Sequence, residues 1–485
     1  MTATSAAPAQ AGSREAPTAG GGPALGEVVP WLAVLAFGLQ GLRPTTDSDL
    51  WWHLRTGEWI AAHHRLPAAD QWSFASSRPW ILHEWLSQLL LYAGYRAGGY
   101  SGVLILRSLA LAAIAAVVVV QCRKRGSWLH TTIAALFGLA TVEPGAAARP
   151  QLASFLLMAI LGPALLEAAR RGRPPLWLIP FMWLWASLHG LWTVGLALYA
   201  CVAVGVALDG SRRNRKVFLR FAGVGAAMLA ATALTPVGPR LLLSPFEVRG
   251  IAKYVTEWQP PHVTSLPSAA ALLLVGIVLT AWARGSRRVP PYEVLYLFAA
   301  AFLAVAYLRT GPLAGVLLAP LAAQAMAELF AAPPEKRAWS RRHSAILTGA
   351  ALLTCALGAT VLAHQDPIRR PAPAAASQIL DDLPGRARVL DQFELGNWML
   401  WTARDASPAV DGRYEIFGPA YISRYVDTLN LHGDWRTFVA DSQPDAAWLD
   451  VGVPLAGGLQ HQLGWTVAWT DGRTVILLPP PGGDG

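Results

Sequence analysis

The sequence predicts an all-α polytopic membrane bundle followed by a small α/β domain, and three observations carry the prediction. Of the 485 residues, 54% are hydrophobic and only 14% are charged, where a soluble domain carries about 25% charged residues. Apolar runs recur from Val28 to Ala363, each near the roughly 20 residues that a bilayer requires. Beyond His364 the pattern breaks into short apolar runs between polar turns, in which Asp plus Glu outnumber Arg.

Taken in order, residues 1–26 are rich in Ala, Gly, Ser and Pro and lack the basic start and apolar run of a signal peptide. They read as a disordered cytoplasmic tail. The membrane module occupies 27–364 and is punctuated by five basic clusters: Arg123-Lys124-Arg125, Arg170-Arg171-Arg173, Arg212-Arg213-Arg215-Lys216, Arg284-Arg287-Arg288 and Lys336-Arg337-Arg341-Arg342. Lys and Arg concentrate in cytoplasmic loops, so all five are expected inside the cell. Spans near 28–43, 102–121, 129–146, 151–168, 174–188, 190–209, 217–235, 269–284, 289–308, 310–329 and 344–363 satisfy them, about eleven in all. The N-terminus is then cytoplasmic and residues 365–485 lie outside the plasma (inner) membrane. The net charge of +9 reports this topology and excludes a nucleic-acid surface. Cys122, Cys201 and Cys355 sit in or beside apolar runs, so no disulfide framework is expected.

The stretch Trp85–Gly98 is apolar but short for a span, and inserting it would place Arg123-Lys124-Arg125 outside. Glu84, Gln88 and Tyr92 recur at every fourth position, a polar stripe that fits a helix lying along the outer surface. Residues 44–101 then form one external loop with two amphipathic helices. In the domain beyond 364, Ala387-Arg388-Val389-Leu390 and Trp448-Leu449 read as buried strands. Thr466–Trp469 and Thr474–Leu478 flank Asp471-Gly472 as a hairpin, with helices around 396–403 and 417–430. Asp411-Gly412-Arg413-Tyr414 falls at a strand end and fits a ligand site, a capped strand or a local salt bridge.

The chemistry concentrates in Asp47–Trp59, where Asp47, Asp49, His53, Arg55, Glu58 and three tryptophans follow the first apolar run. Ionised carboxylates near lipid are costly and usually mark a site. As a helix, the segment puts Asp49, Trp52, His53, Thr56 and Trp59 on one face. The expected topology brings Arg149-Pro150-Gln151, His189-Gly190, Thr235-Pro236, Glu257-Trp258 and Arg309-Thr310 to the same side. Singly, such residues can snorkel or form turns; together they outline the rim of an outward-facing cavity.

A first external loop with Asp47-Ser48-Asp49, over a many-span bundle with outer-face Arg and His, resembles the GT-C superfamily of membrane glycosyltransferases. The dolichyl-phosphate-mannose protein mannosyltransferases and bacterial lipid-sugar transferases belong to it. The resemblance covers about 28–363 and implies a polyprenyl-phosphate sugar donor, used on the outer face with inversion. The acceptor, whether glycan, lipid or protein, stays open. No adjacent Asp-Glu pair like that of the mannosyltransferases is present, nor a Trp-Trp-Asp motif in the external domain.

Such a transfer needs a carboxylate to take the nucleophile's proton. Asp47 and Asp49 qualify, and Asp47 is preferred because it stands nearest the membrane. The phosphate leaving group calls for cations, with Arg55, Arg149, Arg309 and His189 as candidates. His83 and Glu84 can hold the acceptor or, with Asp49, complete a divalent metal site for Mg or Mn. Glu257 stands on the same rim, and Trp51, Trp52, Trp80 and Trp258 offer faces to a sugar ring. The rival function is a transporter or lipid flippase, but no repeat relates the two halves and the midplane positions are mostly Leu, Ala and Val.

Overall fold

Hydropathy and helical periodicity place the apolar runs in helices, and the computed structural model bears this out over the residues it describes: 25–45, 47–210, 215–247, 250–331, 349, 358 and 374–481. The membrane module comprises α1 (Leu25–Gln40), α2 (Asp49–His63), α3 (Trp85–Arg123), α4 (Trp128–Ala140), α5 (Gln151–Arg171) and α6 (Leu178–Leu188). It continues through α7 (Trp192–Leu208), α8 (Arg215–Ala233), α9 (Leu266–Arg284), α10 (Pro291–Ala306) and α11 (Gly311–Leu329). Among the described residues five helices are long and apolar enough to cross a membrane: α3, α5, α8, α9 and the one that ends at Leu329. The apolar parts of α1, α4, α6, α7 and α10 are shorter. The eleven-span expectation is therefore met only in part, and its last span, 344–363, lies outside the described residues.

The shortness of the second group has a physical cause. At about 1.5 Å per residue, an α6 of 11 residues covers only about half of a ~30 Å hydrocarbon layer. Beyond α6 comes extended His189, beyond α4 the 3₁₀ turn Glu143–Gly145, and beyond α10 the turn Leu308–Thr310. Irregular backbone at such depth is tolerated where it is buried in protein or lines a cavity.

The expected surface helix and the span after it are joined in α3, with a break between them. Gly98 has φ −152° and Gly99 has φ +57°, ψ −146°, a conformation open essentially only to glycine. Across the break the chain folds back closely: a Cβ on Gly102 would collide with the Gly94 carbonyl.

Helix α2 is the hinge between the two halves of the molecule. Leu50, Trp51, Trp52, His53, Leu54, Thr56, Gly57 and Ile60 are all buried. A Cβ on Gly57 would meet the Gln88 carbonyl, so α2 and α3 approach at backbone distance. Leu50, Trp51 and Leu54 share one apolar cluster with Val389, Trp398, Met399 and Trp448 of the external domain. Trp52, Ile60, Trp72, Trp80 and Ile251 join a second cluster with Val410, Phe417, Ile422 and Leu449. The expected surface loop is thus the core of an interdomain joint.

Among its described residues the C-terminal domain, expected outside the membrane, holds a five-stranded sheet in the order β2-β1-β3-β5-β4. The strands are β1 (Ala387–Asp391), β2 (Ala406–Pro408), β3 (Ala446–Asp450), β4 (Thr466–Thr470) and β5 (Thr474–Leu478). β1 runs parallel to β2 and β3, while β5 is antiparallel to β3 and β4. The helices are α12 (Ala374–Asp381), α13 (Phe393–Thr402), α14 (Pro419–Leu429), α15 (Trp435–Ser442) and α16 (Pro454–Leu463). Sequence reading anticipates β1, β3, the hairpin, α13 and α14, and misses β2, α12, α15 and α16.

Asp411-Gly412-Arg413-Tyr414 resolves as a buried ion cluster. Arg413 pairs through Nη1 with Asp70 Oδ1 at 2.5 Å and through Nη2 with Asp411 Oδ2 at 2.6 Å, all three side chains without exposure. Its guanidinium lies 4.9 Å from the rings of both Trp72 and Trp80. Asp70, Trp72 and Trp80 belong to the first external loop, so this cluster rivets loop to domain. Backbone amides of Ser77 and Arg78 donating to the Ile416 carbonyl, and Arg386 donating to the Gln71 and Trp72 carbonyls, extend the seam.

Candidate functional site

Where the ends of the helices meet the C-terminal domain, a cavity of about 610 Å³ opens. Asp49 and Trp52 reach it from the start of α2, His83 and Glu84 from the turn before α3, and Arg149 from the turn before α5. His189 follows α6, while Glu257 and Trp258 stand on the loop before α9 and Arg309 on the turn before α11. Residues up to 260 positions apart in the chain, Asp49 and Arg309, thus converge.

Arg149 is the centre of the charge arrangement. Its Nε and Nη2 form a forked pair with Asp47, the Nη2–Oδ1 distance being 2.7 Å. Its Nη1 reaches Asp49 Oδ2 at 3.1 Å and Glu257 Oε1 at 2.5 Å. Glu257 Oε2 lies 3.3 Å from Arg309 Nη1, so one carboxylate bridges two arginines. Burial raises the Asp49 carboxyl; Asp47 and Glu257 add to the rise, Arg149 opposes it, and the balance sits at about 7. Asp47 does not line the cavity and lies behind the Arg149 fork. Of the two aspartates that the sequence offers as candidate bases, Asp49 is the one that faces the open volume, against the sequence-based preference for Asp47.

Arg309 extends over the Trp258 ring at 5.6 Å and donates from Nη2 to His189 Nε2 at 2.9 Å. An accepting Nε2 assigns the neutral His189 proton to Nδ1, which then donates to Ser154 Oγ at 2.8 Å. Burial and the Arg309 charge hold His189 well below the usual histidine range. Glu84 lies within 3.3 Å of His189 Nε2, 3.4 Å of His83 Nε2 and 3.8 Å of His53 Nδ1. Burial favours its neutral form, yet the histidines, His83 foremost, hold its carboxyl far below normal. Burial likewise opposes charge on His83, but Glu84 outweighs it and lifts the imidazole to about 9. His53, desolvated, falls to about 4.

Several expected residues go elsewhere. Arg55 pairs with Glu58 at 2.8 Å and stands 5.9 Å from the Trp72 ring, away from the cavity. Its position on the far face of α2 explains this. Trp51 packs edge-on against Trp398 at 4.5 Å, and Trp80 edge-on against Trp72 at 5.8 Å; both are core, not sugar platforms. Thr235-Pro236 does not line the cavity. The proposed metal set of Asp49, His83 and Glu84 does not fit a cation as arranged, because Arg149 and Asn397 occupy the Asp49 oxygens while His83 pairs with Glu84. Among the described residues no group of three His, Cys, Asp or Glu side chains is arranged to hold a metal ion.

The C-terminal domain supplies Phe393, Glu394 and Asn397 of α13 and Glu415, which sequence reasoning misses, and Gly412 and Tyr414 of the cluster that it singles out. Phe393 and Tyr414 stack at 4.6 Å. Of these, only the polar cluster around Tyr414 has a signal in the sequence.

No family model matches the chain and no curated protein matches it. Solved structures do. An archaeal oligosaccharyltransferase, AglB from Archaeoglobus fulgidus in complex with an inhibitory peptide and a dolichol-phosphate, superposes with a TM-score of 0.57 at 11% identity, over 88% of this chain and 70% of that one. The A. fulgidus enzyme complexed with Zn and sulfate gives 0.54 at 12% identity, over 93% and 73%. ArnT from Cupriavidus metallidurans bound to undecaprenyl phosphate gives 0.52 at 17% identity, over 94% and 98%. Over its helical bundle and C-terminal domain this chain shares the fold of these oligosaccharyltransferase and ArnT structures.

Proposed function

We propose that the protein is a membrane glycosyltransferase that moves a sugar from a polyprenyl-phosphate donor to an acceptor outside the cytoplasm, with Asp49 as general base. The observation that carries the reading is the convergence of Asp49, Arg149, His189 and Arg309 on one cavity between membrane helices and external domain. Structural neighbours that bind dolichol-phosphate or undecaprenyl phosphate support the donor class.

In this reading the acceptor O–H or N–H gives its proton to Asp49 as its heteroatom bonds to the anomeric carbon. The bond from that carbon to the phosphate oxygen breaks on the opposite face, and polyprenyl phosphate leaves with the electron pair, inverting the centre. Arg309, oriented by its hydrogen bond to His189 Nε2, receives the phosphate, which competes with Glu257 for the guanidinium. Trp258 and Trp52 offer faces to the sugar. Apolar helix surfaces accommodate the polyprenyl chain, and no step requires a metal.

Purified protein incubated with a panel of polyprenyl-phosphate sugars tests the reading. Donor consumption or thermal stabilisation is expected, with Asp49→Asn folded but slower by about a hundredfold or more. Arg309→Ala should weaken donor use more than acceptor use. Absence of any lipid binding, together with solute or lipid movement across liposomes that survives Asp49→Asn, would replace the enzyme with a transporter.

A further inference from the structure

We propose that Asn397, supplied by the external domain, is a positioning residue for Asp49, so that the site is complete only when the domain is docked on the membrane module. The proposal rests on the glycosyl-transfer reading for the role of Asp49, but not for the contact itself.

Asn397 sits on α13, is 2% exposed, and has every polar atom engaged. Its Oδ1 accepts from the Gly412 amide at 2.6 Å. That bond settles the orientation of a side-chain amide that is otherwise ambiguous. Nδ2 must then point at α2, where it donates to Asp49 Oδ1 at 2.8 Å and Ser48 Oγ at 3.1 Å. Rotating the amide would break the bonds to the Gly412 amide and to the Asp49 carboxylate. Gly412 makes the approach possible, since a Cβ there would crowd both the Asp49 carboxylate and the Asn397 amide.

The Asp49 carboxylate is consequently held from two sides. Arg149 of the membrane module faces Oδ2, and Asn397 of the external domain binds Oδ1. The charged groups around it are Asp47 on its own segment, Arg149 before α5, Glu257 before α9, and Tyr414 with its phenol on the external domain. Among these, Asn397 is the neutral donor: it stabilises the carboxylate and fixes its plane without neutralising the base, as a second arginine would.

A merely structural Asn397, there to tie Gly412 to α13, makes a different prediction. Asn397→Asp keeps shape and the acceptor for Gly412 but loses the donor to Asp49, whereas Asn397→Leu loses both. The full-length protein in lipid nanodiscs is examined in two ways. Water-soluble carbodiimide, which modifies protonated carboxyls, reads Asp49 against pH by peptide mass spectrometry, and donor turnover is measured over the same range.

In Asn397→Asp the labelling midpoint of Asp49 should rise by about one pH unit or more. kcat at pH 7 should fall about tenfold or more while KM for the donor stays within about twofold. Asn397→Leu should shift the midpoint in the same direction by less. A folded Asn397→Asp with an unchanged Asp49 midpoint, or with its loss confined to KM, overturns the proposal, whatever becomes of Asn397→Leu. A shifted midpoint in Asn397→Asp, with a wild-type protein that transfers no sugar, leaves the Asn397–Asp49 coupling standing and removes the glycosyl-transfer reading instead.

Discussion

A carboxyl near neutral pH is the site's most distinctive chemical property. Burial puts Asp49 at about 7, so below that pH it is protonated and cannot accept a proton, and above it the base is free. Turnover should rise with pH, tenfold per unit below about pH 6 and levelling above about pH 8. A pH–rate profile of kcat/KM checks the direction: a limb near pH 4, the ordinary aspartate range, would remove Asp49 from the role. Residue identities at this site were legible in sequence because charge is scarce in an apolar chain. Asp49, Arg149, His189, Glu257 and Arg309 stood out for that reason. Rank among them was not legible: whether Asp47 or Asp49 faces the cavity depends on which one the Arg149 fork captures, a matter of angstroms. Asn397 carried no signal, since an asparagine among Gly396 and Trp398 reads as an ordinary helix residue until its partner 348 positions away is known.

At the scale of elements, two features set the shape of the joint. The first is the break in α3. Gly99 at φ +57°, ψ −146° has no low-energy alternative with a side chain, so Gly99→Ala should destabilise by about 1–3 kcal/mol. A lowered melting temperature in detergent, with Gly98→Ala milder because its φ of −152° suits any residue, is the check. The second is the Arg413 cluster. Removing one partner of a buried ion pair costs about 3–5 kcal/mol because a charge is left unpaired. Arg413→Ala strands both Asp70 and Asp411 and should lower the melting temperature more than any substitution at Arg424, whose partners Asp434 and Asp441 are exposed. The polar tetrapeptide at 411–414 was visible in sequence, and a local salt bridge was among its readings. Its remote partner was not, because Asp70 looked like one more turn residue. Regular β1, β3 and the hairpin announced themselves by apolar runs, whereas β2 is three residues ending in proline and offers no period to detect.

On the scale of the whole molecule, the charge pattern predicts which surfaces face the cytoplasm. In a cysteine-less background, cysteines at Ser76 and Asn430 should react with an impermeant reagent in intact cells or spheroplasts, and one at Lys124 only after lysis. Labelling of Lys124 alone from outside would invert the topology. Legibility at this scale was good for the helices and poor for the joint, since hydropathy reports burial against lipid and burial against protein with the same residues. Trp51 and Trp52 illustrate this: tryptophan at a membrane boundary is unremarkable, yet here both are wedged under another domain. The Arg413 rivet has one more consequence, for biogenesis. Its partner Asp70 leaves the ribosome more than three hundred residues earlier, so the loop holding Asp70, Trp72 and Trp80 waits, through synthesis of the bundle, for the C-terminal domain to be made. A chain truncated at residue 373 should therefore insert its helices yet leave residues 64–84 open to added protease, and the nascent protein must shelter a buried-in-waiting carboxylate and two tryptophans until synthesis ends.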